Sequence, residues 1–115
     1  MRALILLFLG LGTAAAIPAA SSVFLRSAAD PRAVLRQVER AEAEYRTTHG
    51  RYTASLQALR IERLAGVDVR ILAEGAAGWS AVAVGDAEEC AVFHGNARAP
   101  RTWARAPGRI TCRGR

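Results

Sequence analysis

Apolar and polar residues follow one another along this chain in three regimes. From Ala3 to Leu25 no charge interrupts an apolar run bracketed by Arg2 and Arg26. From Asp30 to about Thr47 the apolar positions take a helical period. Val34, Val38, Ala41 and Tyr45 recur at spacings of 4, 3 and 4 and form one stripe. From Val67 the period shortens to two.

Asp30-Pro31 supplies the start of the helix, with Asp as N-cap and Pro at the first helical position. Arg36, Arg40, Glu39 and Glu44 sit off the stripe. Arg36 and Arg40 are like charges one turn apart, softened by Glu39, Glu42 and Glu44. Thr47-Thr48-His49-Gly50 ends the helix, and Gly50 is the expected left-handed cap. Tyr52 then leads into a segment whose Leu56, Leu59 and Leu64 predict a short second helix or a turn, broken at Gly66.

Val67, Val69 and Ile71 alternate with Asp68, Arg70 and Leu72, which predicts a strand. Glu74 to Gly78 is a turn. Trp79, Ala81 and Ala83 alternate with Ser80, Val82 and Val84 in a second strand, Gly85-Asp86 turns again, and Cys90 to His94 is a third. Short connections argue an antiparallel meander. Residues 97–115, rich in Pro, Gly and Arg, read as a loop ending in one short segment, Arg109 to Cys112. The expected fold is α+β: a long N-terminal helix whose second half packs on a small antiparallel sheet. Residues 1–25 form an apolar N-terminal helix, and residues 26–115 a head domain.

The apolar run admits two readings. Arg2 and the stretch after it suit a signal peptide, with small residues at Ala14-Ala15-Ala16 or Pro18-Ala19-Ala20 for cleavage. As an uncleaved helix, the 23 residues from Ala3 to Leu25 extend roughly 35 Å, enough for a bilayer core of about 30 Å. Pro18 would kink that helix without excluding it. Arg2 would hold the N-terminus in the cytoplasm and place the head outside. Either reading exports Cys90 and Cys112 to an oxidising space.

With 115 residues there is room for one domain. Without the apolar run the core is modest, and the two cysteines are candidates for a staple. A Cys90–Cys112 crosslink would tether the irregular tail, contributing roughly 3 kcal/mol. Two thiols are too few for a metal centre, His49 and His94 lack ligand spacing, and no C-x-x-C suggests redox chemistry. Free thiols are the remaining alternative.

All 16 basic residues are arginine and the net charge is +6. Codon bias explains the arginine use most simply, yet the balance favours anionic partners. Arg98, Arg101, Arg105, Arg109, Arg113 and Arg115 lie in a tail without an acid. They are candidate anion-binding residues, with Trp103 nearby, against a plain solvated loop. No catalytic constellation stands out. His49 reads as a turn residue, His94 as a strand end and Glu88-Glu89 as a solvated turn. Gly10-Leu-Gly12 lacks the strand context of a phosphate loop. Trp79 and Trp103 read as packing residues. No cofactor or metal is expected.

Gly10, then Ala14-Ala15-Ala16-Ile17-Pro18-Ala19, resembles the end of the apolar helix in type IV pilins and type II secretion pseudopilins. Glu44 to Tyr52 and Ser55 to Leu59 resemble that family's junction after its long helix. Gly78 to Val84 looks like its first sheet strands, and Cys90 to Gly95 with Pro107 to Cys112 like its cysteine-closed C-terminal loop. The similarity covers most of the chain in order.

The resemblance implies a structural subunit anchored in the inner membrane with its head in the periplasm. Leu4, Leu7, Phe8, Gly10, Gly12, Ile17 and Pro18 would serve anchoring and helix assembly, the small residues allowing close approach. Val34, Val38, Ala41 and Tyr45 would join rod to head. Its partners would be other pilin-like subunits, as homo- or hetero-oligomers. Family members carry a basic leader cut at a glycine and a glutamate shortly after it. Aligning on Gly10 and Ile17-Pro18 puts Met1 at the glutamate. The expectation is then either a start further upstream or a pilin-like protein outside the assembly pathway, exported by an ordinary signal peptide or by the anchor itself. The competing expectation is an exported, soluble binding module whose arginine tail contacts DNA or another anionic partner. An enzyme comes third.

Overall fold

The computed structural model describes residues 30–62 and 66–115. Its elements run in the order α1 (Pro31–His49), β1 (Asp68–Ala73), β2 (Gly78–Val84), β3 (Glu88–Gly95) and β4 (Thr111–Gly114). The apolar run, with Leu4, Leu7, Phe8, Gly10, Gly12, Ile17 and Pro18, and also Leu64, lies outside the described residues. Among the described residues no helix is long and apolar enough to cross a membrane.

The helix begins where the sequence predicts. Asp30 is extended (φ −93°, ψ 111°), and its carboxylate accepts the Arg32 N–H at 3.0 Å. Pro31 has no N–H to satisfy, so it fits the first turn. This corrects the expectation of one long helix whose second half meets the sheet. The helix that packs on the sheet is a 19-residue element with its own N-cap, because an extended Asp30 cannot continue a helical ladder from the residues before it. At the other end Gly50 is left-handed (φ 77°) and donates its N–H to the Arg46 carbonyl at 2.8 Å. A side chain there would strain the turn.

Of the predicted stripe, Val34 and Val38 are buried, while Ala41 and Tyr45 pack at the margin of the core. The buried face is wider and centred differently: Pro31, Val34, Leu35, Val38 and Glu42. Glu42 is a correction in kind. Rather than lying beside the arginines, it is fully buried. Its place is set by spacing, since residue 42 follows Leu35 by 7 and Val38 by 4 and falls on the same face.

The segment after Gly50 is a turn, not a helix. Leu59 donates to Ser55 at 3.2 Å and Ile61 to Leu56 at 3.0 Å, and Arg60 takes a left-handed φ of 60° that ends the ladder. Leu56, Leu59 and Ile61 pack into the core from this turn.

The four strands form one antiparallel sheet in the order β1-β2-β3-β4. The meander is therefore one strand longer than predicted. The predicted segment Arg109–Cys112 contributes only its end, and β4 starts at Thr111. The register sorts side chains onto two faces. Val69, Ile71, Trp79, Ala81, Ala83, Cys90 and Val92 face α1 and form the main core. Val82 and Ala91 face the other way, under Ala104 and Trp103 of the tail.

The tail is thus a strap across the second face of the sheet, not a solvated loop. This explains why every β2 residue except Val84 is buried, when one-sided packing would expose alternate positions. Gly78 makes the strap possible. A Cβ there would lie 2.5 Å from the His94 carbonyl oxygen and 2.7 Å from Ala97 N.

Candidate functional site

Cys90 and Cys112 stand directly opposite one another in the β3–β4 register and are joined as a disulfide, with Cα atoms 4.0 Å apart. The bond closes a 22-residue separation and fastens the far end of the strap. Cys90 is buried and Cys112 half-buried. Glu88 brings a carboxylate near the pair, within 4.8 Å of both sulfurs. With both sulfurs bonded to each other, neither is a thiolate ligand or nucleophile.

The strap sorts the candidate anion-binding arginines into two groups. Arg101 donates to Glu89 Oε2 and to its neighbour's carbonyl, Pro100 O, at 2.9 Å. Arg113 lies over the Trp103 ring, 5.4 Å from its centroid. Arg115 donates to the Gly85 carbonyl at 2.8 Å, and its backbone N–H to Ala87 O. Arg101 and Arg115 thus spend donors on the fold, and Arg113 is held against an aromatic face. Arg98, Arg105 and Arg109 are exposed and have no side-chain partner among the described residues. The structure therefore does not present the six residues as one patch. The distinction was not legible in the sequence, where no acid lies in the tail; Glu89 reaches Arg101 from β3.

A second constellation lies where α1 meets the sheet. Glu39 Oε2 lies 2.8 Å from His94 Nε2 and accepts its hydrogen in the tautomer that carries one there. Both side chains keep about a third of their surface exposed, 33% for His94 and 27% for Glu39. The His94 ring stacks on Trp79 at 4.8 Å between centroids. Cys90, Val92 and His94 alternate on one strand, which puts His94 on the helix-facing side. That alternation was the available signal for this contact. Its chemical effect is to tie α1 to β3 at the rim of the core. His49, by contrast, stays local: it stacks on Tyr45 at 4.0 Å and its Nδ1 contacts the Tyr45 carbonyl at 3.2 Å.

The third polar group is Glu42. Its Oε1 accepts the Thr53 N–H at 2.9 Å, and Oε2 has no partner. Burial pushes this carboxyl above the ordinary glutamate value of 4.5, and the Thr53 hydrogen bond offsets only part of that. The group pins the connection after Gly50 against α1.

Grooves flank the turn, two of them on its sheet side. One of about 400 Å³ is walled by Val34, Ile61, Val67, Asp86 and Arg115. The other, of about 940 Å³, follows β1 and has Leu56, Ile61, Ile71, Leu72 and Arg101 among its walls. Set beside known proteins, the chain matches no protein-family model, no curated protein and no solved structure.

Proposed function

We propose that the chain is a structural subunit resembling a type IV pilin or type II secretion pseudopilin. Residues 3–25 hold it in the inner membrane, the head stands in the periplasm, and neighbouring subunits pack through their apolar helices. The observation that carries this reading is an order of parts. An uncharged apolar run is followed by an amphipathic helix, a four-stranded antiparallel sheet on that helix, and a C-terminal segment closed by Cys90–Cys112. Such a head is small for its own core and gains from a covalent closure. The disulfide in turn suits an exported domain.

The test is the intact mass of the protein in membrane and soluble fractions of expressing cells. A membrane-bound species that keeps residues 3–25 is expected, and extra upstream mass would reveal a leader. A soluble species beginning near Ser21 overturns the anchored role.

The outcome last named would favour a second reading, in which the released head is a binding module for an anionic partner such as DNA. The exposed set Arg98, Arg105 and Arg109 favours it. DNA retention that falls with salt and is lost when these three become Ala supports it. Unchanged retention sinks it.

A further inference from the structure

Strand β1 is one margin of the sheet, paired with β2 alone among the described strands. Glu74 continues that ladder by donating to the Gly78 carbonyl at 2.9 Å. In an antiparallel pair, alternate residues bond the partner strand. Asp68, Arg70 and Leu72 therefore turn their backbone groups toward β2, and Val69, Ile71 and Ala73 turn theirs outward. No backbone bond from another described segment reaches those three. Such an edge is a template for a further strand. The groove of about 940 Å³ runs along it. Leu72 is 70% exposed, the one exposed large hydrophobic residue among those described.

We propose that β1 pairs with β1 of a second copy of this chain, antiparallel about a two-fold axis at Leu72, merging two four-stranded sheets into one. An axis normal to the sheet keeps each face on its own side, so some residue must stand opposite itself. Charge and the exposed Leu72 together select which. Centred on Arg70, the pairing opposes two arginines. Centred on Ile71, it opposes Asp68 to Glu74 of the second copy. Centred on Val69, it matches Asp68 with Arg70 but leaves Leu72 against Gly66, uncovered. Centred on Leu72, it joins the two leucines and matches Arg70 with Glu74 of the second copy, twice.

The outward backbone groups of Ile71 and Ala73 then bond each other across the seam. Arg70 is free to exchange partners, since its contact with Asp68 is 3.5 Å long between side chains 84% and 69% exposed. Charges on an edge commonly block strand addition. Here they disfavour the Arg70 and Ile71 registers and favour the one that also joins the exposed leucines. The pairing does not depend on whether residues 3–25 stay attached.

Cysteine crosslinking of the purified full chain in detergent tests the register. The native cysteines are already bonded, so Leu72→Cys, Val69→Cys and, as an exposed control, Thr102→Cys each add one free thiol. Leu72→Cys is expected to give dimer fastest under mild oxidation, because its opposed Cβ atoms are the closest. Adding Arg70→Glu to Leu72→Cys should slow dimer formation about five-fold, and adding Glu74→Arg to that pair should restore it. Leu72→Cys no faster than Thr102→Cys, or slower than Val69→Cys, overturns the proposal, as does a rate indifferent to the charge reversal. Association through residues 3–25 alone gives the first of these results.

Discussion

Glu42 and Thr53 are joined across the start of the α1–β1 connection: the Thr53 backbone N–H donates at 2.9 Å to Oε1 of a carboxyl that has no exposure to solvent. One oxygen of that carboxyl fixes the chain after the helix. The other is unpartnered. The pair thus combines a useful tether with the cost of a buried charge, and the two effects separate by mutation and by pH.

Replacing Glu42 with Gln keeps an oxygen for Thr53 and removes the charge. Because burial raises this carboxyl's pKa in the fold, the native state binds more protons than the unfolded chain between 4.5 and the raised value. The Glu42 contribution to stability is therefore greatest below 4.5 and falls as pH rises through that window. Glu42→Gln should be more stable than the parent at pH 7, and the difference should shrink toward pH 4. Glu42→Ala loses the tether and should cost about 1–3 kcal/mol at pH 4 and less at pH 7, where losing the buried charge offsets part of the loss. Urea unfolding of the three proteins at pH 4 and pH 7 reads all of this.

Opening the disulfide frees the far end of the strap. Cys90→Ser with Cys112→Ser, or reduction of the parent, should cost roughly 3 kcal/mol in urea unfolding. Limited proteolysis should then cut first between residues 97 and 109, since that span leans on the sheet through few apolar contacts, Ala104 and Trp103 foremost.

Gly78 admits no side chain where the strap leaves β3. Gly78→Ala places a methyl 2.5 Å from the His94 carbonyl oxygen, all backbone, and should destabilise the domain by about 1–3 kcal/mol. Gly114→Ala, with open space at its Cβ, should be near neutral. A shift in melting temperature confined to the first variant is the expected result.

The tail arginines should differ in their effect on folding. Arg101→Ala uncovers Glu89, whose side chain is only 15% exposed, and should cost about 0.5–1 kcal/mol after allowance for screening at the half-exposed Arg101. Arg98→Ala, Arg105→Ala and Arg109→Ala should leave the unfolding midpoint unchanged, because these side chains hold nothing among the described residues. Equal losses across the four would mean that the strap is held by general charge, not by the Arg101–Glu89 contact.

Local rules written in the chain were enough for the caps of α1 and for the first three strands, though not for β4. Asp30 and Pro31 start the helix, Gly50 ends it, and the period-two stretches after Val67 become β1, β2 and β3, because caps, dihedral preferences and side-chain alternation act over a few residues. The antiparallel order followed from the short connections, and the Cys90–Cys112 bond from the scarcity of core and of other cysteines.

What lies opposite what was decided only by the tertiary structure. Glu42 reads as a surface acid until Thr53 is folded back onto it. His94 reads as a strand end until Glu39 arrives from the helix. The tail reads as a basic loop until it crosses the second face of the sheet and Glu89 meets Arg101. Each of these contacts joins residues 11 or more positions apart. Their partners are chosen by sheet register and by which face a strand presents, and no local pattern encodes either until the strands have paired.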